Sequence, residues 1–194
     1  MTEGVDGVDL YWIPLGAGAG GGVVRWSGRT YEALAAAWAG RRRRPLFHSA
    51  LVVHVDGAST SVEVAPVWLT RGERGVVAEG AVGARGLGRW RLFRYEVRCW
   101  TGGTIPDLAS AVGGPVRVTD DPVRARRALD AVRAAPVLVW GRDELGAGDM
   151  WNSNSLVSWA LVRAGVDVSG IGPPDDGRAP GWDAGLVAAS SESA

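Results

Sequence analysis

Two strand-like runs, Leu46 to Val55 and Ser61 to Leu69, are separated by Asp56-Gly57-Ala58-Ser59. A short Asp/Gly gap between β-branched runs signals a hairpin. A hairpin commits the chain to antiparallel pairing, and the other elements must pack around it. Gly75 to Val82 and Trp90 to Trp100 read as further strands, and Val8 to Leu15 is strand-like. Helical signals flank this block. Thr30 to Ala39 has a capping Thr30, Leu34 and Trp38 on one face, and Gly40 at its end. Pro122 to Ala134 places Ala125, Leu129 and Val132 inward and Arg124, Arg126, Arg127 and Arg133 outward. Ser153 to Ala164 has Leu156, Val157, Ala160 and Leu161 on its buried face. Strands in the middle with helices around them argue for an α+β fold. The 194 residues suffice for one sizeable core but not for two ordinary domains and a linker. Residues 1–194 therefore read as a single domain. Its core is expected over roughly 46–164, with an N-terminal extension at 1–45 and an irregular Pro/Gly-rich tail at 172–194.

Composition removes several classes of function. The 21 basic residues, all Arg, balance 21 acidic ones, so no net field draws the chain to nucleic acid. The absence of Lys excludes a Lys nucleophile or Schiff base. No apolar run approaches the 18 or so residues of a membrane span. The opening Met1-Thr2-Glu3-Gly4-Val5-Asp6-Gly7 lacks the basic and apolar regions of a secretory signal, so a cytoplasmic location is expected. One Cys and two His leave no internal disulfide and no closed zinc site, and no metal or cofactor is expected. Gly16-x-Gly18-x-x-Gly21 matches the dinucleotide fingerprint. The fingerprint requires a helix next, whereas Val23-Val24-Arg25-Trp26 reads extended, so the segment is expected to be a flexible loop. The run Arg41-Arg42-Arg43-Arg44 follows a helix C-terminus, where positive charge is favoured, and reads as a solvated loop. Cys99 lies within an expected strand with no neighbouring base and reads as a buried structural thiol.

The segment Asp149-Met150-Trp151-Asn152-Ser153-Asn154-Ser155-Leu156 carries more small polar residues than a helix cap requires. A nucleophile at a helix N-terminus gains from the dipole, and first-turn N–H groups there can hold an oxyanion. A Ser nucleophile needs a base, and only His48 and His54 are available. Both fall on the first hairpin strand, six residues apart, and so share a sheet face. Glu63 on the next strand, in Ser61-Val62-Glu63-Val64-Ala65, is placed to orient an imidazole. The plainer reading makes Asn152, Asn154 and Ser155 caps, His48 a satisfied strand histidine and Glu63 a solvent-facing residue.

These segments together resemble the permuted papain-like superfamily, which includes NlpC-related amidases and lecithin:retinol acyltransferase-like proteins. A strand opening on His plus apolar residues is similar to Leu46-Phe47-His48-Ser49-Ala50-Leu51-Val52-Val53. A second strand with a polar residue before Ala-Pro is similar to Val62-Glu63-Val64-Ala65-Pro66. The nucleophile helix opens on a motif of type Asn-Cys-Asn-Ser-Phe, to which Asn152-Ser153-Asn154-Ser155-Leu156 is similar, with Ser153 at the Cys position. The likeness is closest to uncharacterised bacterial branches that carry Ser there, and it spans roughly Leu46 to Ala164. It implies an antiparallel sheet packed against the Ser153 helix, with His48 facing the start of that helix. It also implies an ancestral hydrolase or acyltransferase acting on amide, ester or thioester bonds of a small-molecule or peptide substrate. On this expectation Ser153, His48 and Glu63 form the catalytic group. Asn152, Asn154, Ser155 and Trp151 then stand at the substrate and oxyanion positions. A hydroxyl is a weaker nucleophile than a thiolate, so His48 has to serve as a true general base. The alternative expectation is a catalytically silent domain that binds a ligand or protein through the same cleft.

Overall fold

The computed structural model describes residues 5–17, 32, 36, 40, 42–67 and 75–191. It is an α+β fold in which six antiparallel strands form one sheet. In chain order these are β1 (Gly7–Pro14), β2 (Phe47–Val55), β3 (Ala58–Pro66), β4 (Val76–Ala81), β5 (Arg94–Thr101) and β6 (Val116–Thr119). Their order across the sheet is β4-β5-β3-β2-β1-β6. The helices α1 (Pro122–Arg133), α2 (Ser153–Arg163) and α3 (Trp182–Ser191) follow. The hairpin forms as expected. Asp56 and Gly57 both take positive φ, 53° and 75°, the geometry of a two-residue turn that matches strand twist.

Alternation along the strands splits the residues between two faces. Val8, Leu10 and Trp12 of β1, Phe47, Leu51 and Val53 of β2, Val62 of β3, and Tyr95 and Val97 of β5 form the main core with the helices. The opposite face carries Ile13, Ala50 and Val52, covered by Ile105 and the loop around it. That loop is fastened by Ser61 Oγ, which donates to Gly103 O at 2.7 Å, and by Val112 N–H donating to Trp12 O at 2.9 Å.

Helix α1 starts where Asp121 caps it, accepting from Val123 N–H (2.8 Å) and Arg124 N–H (3.3 Å). Its buried residues are Ala125, Ala128, Leu129 and Val132. Helix α2 is buried on every side from Ser153 to Leu161, between the sheet and the other two helices. A helix enclosed in this way needs apolar or internally bonded residues all round.

Several expectations are corrected. The strand at 7–14 is not part of an extension; it pairs with β2 along its whole length and with β6 on its other side. The tail at 172–194 is not irregular throughout, because Trp182–Ser191 is helical. Small residues allow α3 to lie close on α2: a Cβ added at Gly185 would overlap Ser155 O and Ser158 Oγ. The segment before β5 forms two 3-10 turns, at Arg85–Arg89 and Arg91–Phe93, rather than continuing the strand back to Trp90. The Gly-rich loop beyond 17, the extended piece at 23–26, most of the helix at 30–39 and the end of the second hairpin run lie outside the described residues. Arg42, Arg43 and Arg44 are exposed, as expected of a solvated loop. Cys99 is a free, half-buried thiol whose pKa burial pushes up.

Candidate functional site

The site forms where the edge of β2 is incomplete. The β2–β3 ladder covers only Leu51 to Val55 of β2, while β3 continues alone along β5 to Pro66. Farther back, Phe47 N–H donates to Arg178 O at 2.9 Å. The N-terminus of α2 enters the gap between these two partners. Asn154 Nδ2 donates to Phe47 O at 3.0 Å, and Asn154 Oδ1 accepts from Ser49 Oγ at 2.8 Å. One side chain thus holds both residues that flank His48.

The rest of the polar motif is consumed in fixing this helix start. Asn152 Oδ1 accepts from Asn154 N–H at 2.8 Å, and Ser155 Oγ accepts from Asn152 N–H at 3.0 Å, a reciprocal capping box. Asn152 Nδ2 and Asn154 Nδ2 both donate to Pro180 O at 2.8 Å. Ser155 Oγ lies 2.7 Å from Gly181 O. Gly181 N–H donates to Asp149 Oδ2 at 2.6 Å, and burial pushes the Asp149 carboxyl up. Asn152, Asn154 and Ser155, expected at substrate or oxyanion positions, therefore spend their side chains internally. Trp151 is 3 % exposed and belongs to the core rather than to a cleft wall. Asn154 N–H is also taken by the cap, which leaves Ser153 N–H as the first-turn donor without an acceptor among the described residues.

Ser153 differs from its neighbours. Among the described residues its Oγ makes no hydrogen bond. The residue is 4 % exposed, as closely enclosed as the rest of the helix start. His48 lies on the sheet face away from the main core, opposite Ile13 of β1. Its Nε2 is 3.1 Å from Asp107 Oδ2. A carboxylate accepts, so Nε2 carries the hydrogen, and in the neutral ring Nδ1 keeps its lone pair. Among the described residues Nδ1 has no partner, and no hydrogen bond joins it to Ser153. His54 is occupied on both nitrogens: Nδ1 by Ser59 Oγ at 2.9 Å and Nε2 by Asp9 Oδ2 at 3.0 Å. Only His48 has a ring nitrogen to spare.

Glu63 neither faces solvent nor orients His48. It is 9 % exposed, and Arg98 Nη1 donates to its Oε1 at 2.7 Å. Arg98 Nε donates to Glu96 Oε2 at 3.0 Å. Burial raises the Glu63 pKa, and the Arg98 hydrogen bond and charge oppose that rise. Asp107 and His48 act on Glu63 through space, so all three groups share this face. The physical reason for the correction is the strand register. Glu63 lies directly opposite Arg98 on β5, and a guanidinium at hydrogen-bond distance outcompetes the imidazole on the other neighbouring strand, β2. Sequence reasoning missed Asp107. It comes from the loop after β5, and its only local signal is Ile105, an isolated apolar anchor in a Gly-rich connection.

Among the described residues no group of three or more His, Cys, Asp and Glu side chains is arranged to hold a metal ion. No helix among them is long and apolar enough to cross a membrane. Compared with known proteins, the chain matches no family model, no curated protein and no solved structure.

Proposed function

We propose that this chain is a serine-type hydrolase or acyltransferase with a permuted papain-like arrangement, in which Ser153, His48 and Asp107 form the catalytic group. The observation behind the reading is the grip of Asn154 on both chain neighbours of His48, which sets the start of the Ser153 helix against the β2 backbone at that position, while the His48 ring lies on the other face of the sheet. Asp107 takes over the orienting role expected of Glu63. With Nε2–H held by Asp107, His48 Nδ1 is the base. It accepts the Ser153 hydroxyl proton as Oγ attacks the carbonyl carbon of an amide, ester or thioester. Ser153 N–H stabilises the resulting oxyanion. The proton on Nδ1 then passes to the departing nitrogen, oxygen or sulfur, leaving an acyl-serine. Water or an acceptor nucleophile, deprotonated by Nδ1, releases the acyl group and restores the hydroxyl. The substrate is a small acyl compound or a peptide.

A second reading, a catalytically silent binding module, draws on a different observation: His48 and Ser153 share no hydrogen bond. In the first reading that hydrogen bond forms only with substrate bound, as catalytic hydrogen bonds often do. Labelling with a fluorophosphonate probe, followed by peptide mapping, separates the two. The hydrolase reading expects acylation at Ser153 that Ser153→Ala abolishes. It also expects His48→Ala and Asp107→Ala to slow that acylation by roughly 10²-fold or more, with unchanged unfolding curves. A folded wild type that no serine-directed probe labels leaves the binding module.

A further inference from the structure

We infer that the turn at 85–94 is a docking tip for the surface of an anionic lipid bilayer. The sequence Arg85-Gly86-Leu87-Gly88-Arg89-Trp90-Arg91-Leu92-Phe93-Arg94 sits within a stretch, 81–95, that contains no acidic residue. Its centre, residues 89–93, is exposed at every position. Trp90 is 47 % exposed, Leu92 61 % and Phe93 37 %. The other exposed large apolar residues among those described are single valines, so this is a patch rather than scatter.

The tip is built rather than loose. Trp90 N–H donates to Leu87 O at 3.0 Å and Phe93 N–H to Trp90 O at 2.9 Å, while Val82 N–H donates to Phe93 O at 2.9 Å. Trp90 and Phe93 meet edge-on with ring centroids 6.4 Å apart, and the Arg89 guanidinium lies 4.0 Å from the Trp90 ring centroid. The apolar side chains are thus fixed outward at little further entropic cost.

Charge selects the occupant. Arg85 is paired with Glu144 at 2.9 Å and Arg94 with Glu79. Arg89 and Arg91 have no acidic partner among the described residues. Two unneutralised guanidiniums interleaved with Trp, Leu and Phe match an interface with phosphate above and hydrocarbon below. A nucleic acid would use the cations and stack on Trp90 but offers nothing to Leu92, the most exposed of the three. The turn lies at the β4–β5 edge, and its role does not depend on the catalytic reading.

The test is flotation of the full chain at low salt. It compares phosphatidylcholine vesicles with vesicles of equal parts phosphatidylcholine and phosphatidylglycerol. The expected result is co-flotation with the anionic vesicles alone, reversed by added salt. The double variant Arg89→Gln/Arg91→Gln should bind on the order of thirtyfold more weakly. Leu92→Ser should weaken binding with both cations intact. All three positions are exposed, so the variants keep the wild-type unfolding midpoint as a control. Wild type that stays at the bottom of the gradient, or variants that float as well as wild type, would overturn the proposal. So would a concentration-dependent dimer, seen by sedimentation and dissolved by Leu92→Ser in a chain that ignores vesicles; the patch would then be a protein interface.

Discussion

Asn154→Ala is expected to be the most destabilising single change at the start of α2. The asparagine is 2 % exposed and uses both ends of its amide. Truncation removes the partner of Phe47 O and the acceptor for Ser49 Oγ. Pro180 O is spared, because Asn152 Nδ2 still donates to it. Two buried polar groups are therefore orphaned, each at about 1–3 kcal/mol. Alanine's better helix propensity returns a few tenths of that. The net cost is about 3–4 kcal/mol, a large share of the roughly 5–15 kcal/mol that holds a typical domain folded. In a chain of this length it lowers the melting temperature by about 10 °C. Urea unfolding followed by tryptophan fluorescence measures the loss directly. Ser49→Ala completes a double-mutant cycle. Once Asn154 is gone, removing the orphaned Ser49 hydroxyl should cost nothing or restore stability, giving a coupling of about 1–2 kcal/mol. A single-variant loss below about 1 kcal/mol, or additivity within about 0.5 kcal/mol, would refute the assignment of Asn154 as the pin between helix and strand.

Gly185→Ala inverts an ordinary rule. In a helix interior alanine normally gains up to about 1 kcal/mol over glycine, but here its Cβ would overlap Ser155 O and Ser158 Oγ, so chemical denaturation should show a loss of stability. Glu63 carries a raised pKa, so the folded state holds its proton more tightly than the unfolded chain does. That contribution is complete below the ordinary value of 4.5 and is lost as pH rises through the folded pKa. The stability of Glu63→Gln relative to wild type should therefore increase as pH climbs from about 4.5 toward neutrality; urea midpoints across that range that move in parallel would contradict it. Ser153→Cys should create a thiol that reacts with iodoacetamide faster than Cys99, whose thiol burial holds above its usual range. Peptide mapping after a brief pulse should find the label at 153, and equal labelling of the two would count against a basic His48 beside that position.

What could be read from the chain was what neighbouring residues decide. Asp56-Gly57 specified the hairpin because only a tight turn with positive φ joins two such runs. Pro122 and Asn152 marked the starts of α1 and α2 because such start signals are a matter of two or three residues. The importance of the Asn-Ser-Asn-Ser segment was also visible, since it exceeded the needs of a cap. The division of labour within it was not: which amide meets Phe47 and which meets Pro180 depends on segments 107 and 26 residues away. The Glu63–Arg98 pair was hidden for the same reason, as it rests on the β3–β5 register and not on either strand alone. Asp107 comes from a loop whose placement depends on Ser61 and on the packing of Ile105. Helix α3 escaped notice because its contact with α2 runs through Ala, Gly and Ser, which show no amphipathic stripe.

The start of α2 is closed by a segment that is synthesised after it. Asn152, Asn154 and Ser155 bond to the carbonyls of residues 180 and 181, and Arg178 bonds back to the first residues of β2. A nascent chain that has emerged only through α2 has its hairpin and both earlier helices, but the gap beside His48 still lacks one wall. Until residues 178–181 emerge, the capped start of α2 lacks the carbonyls that hold it, so this corner of the fold cannot close hairpin by helix but only together with the segment that follows.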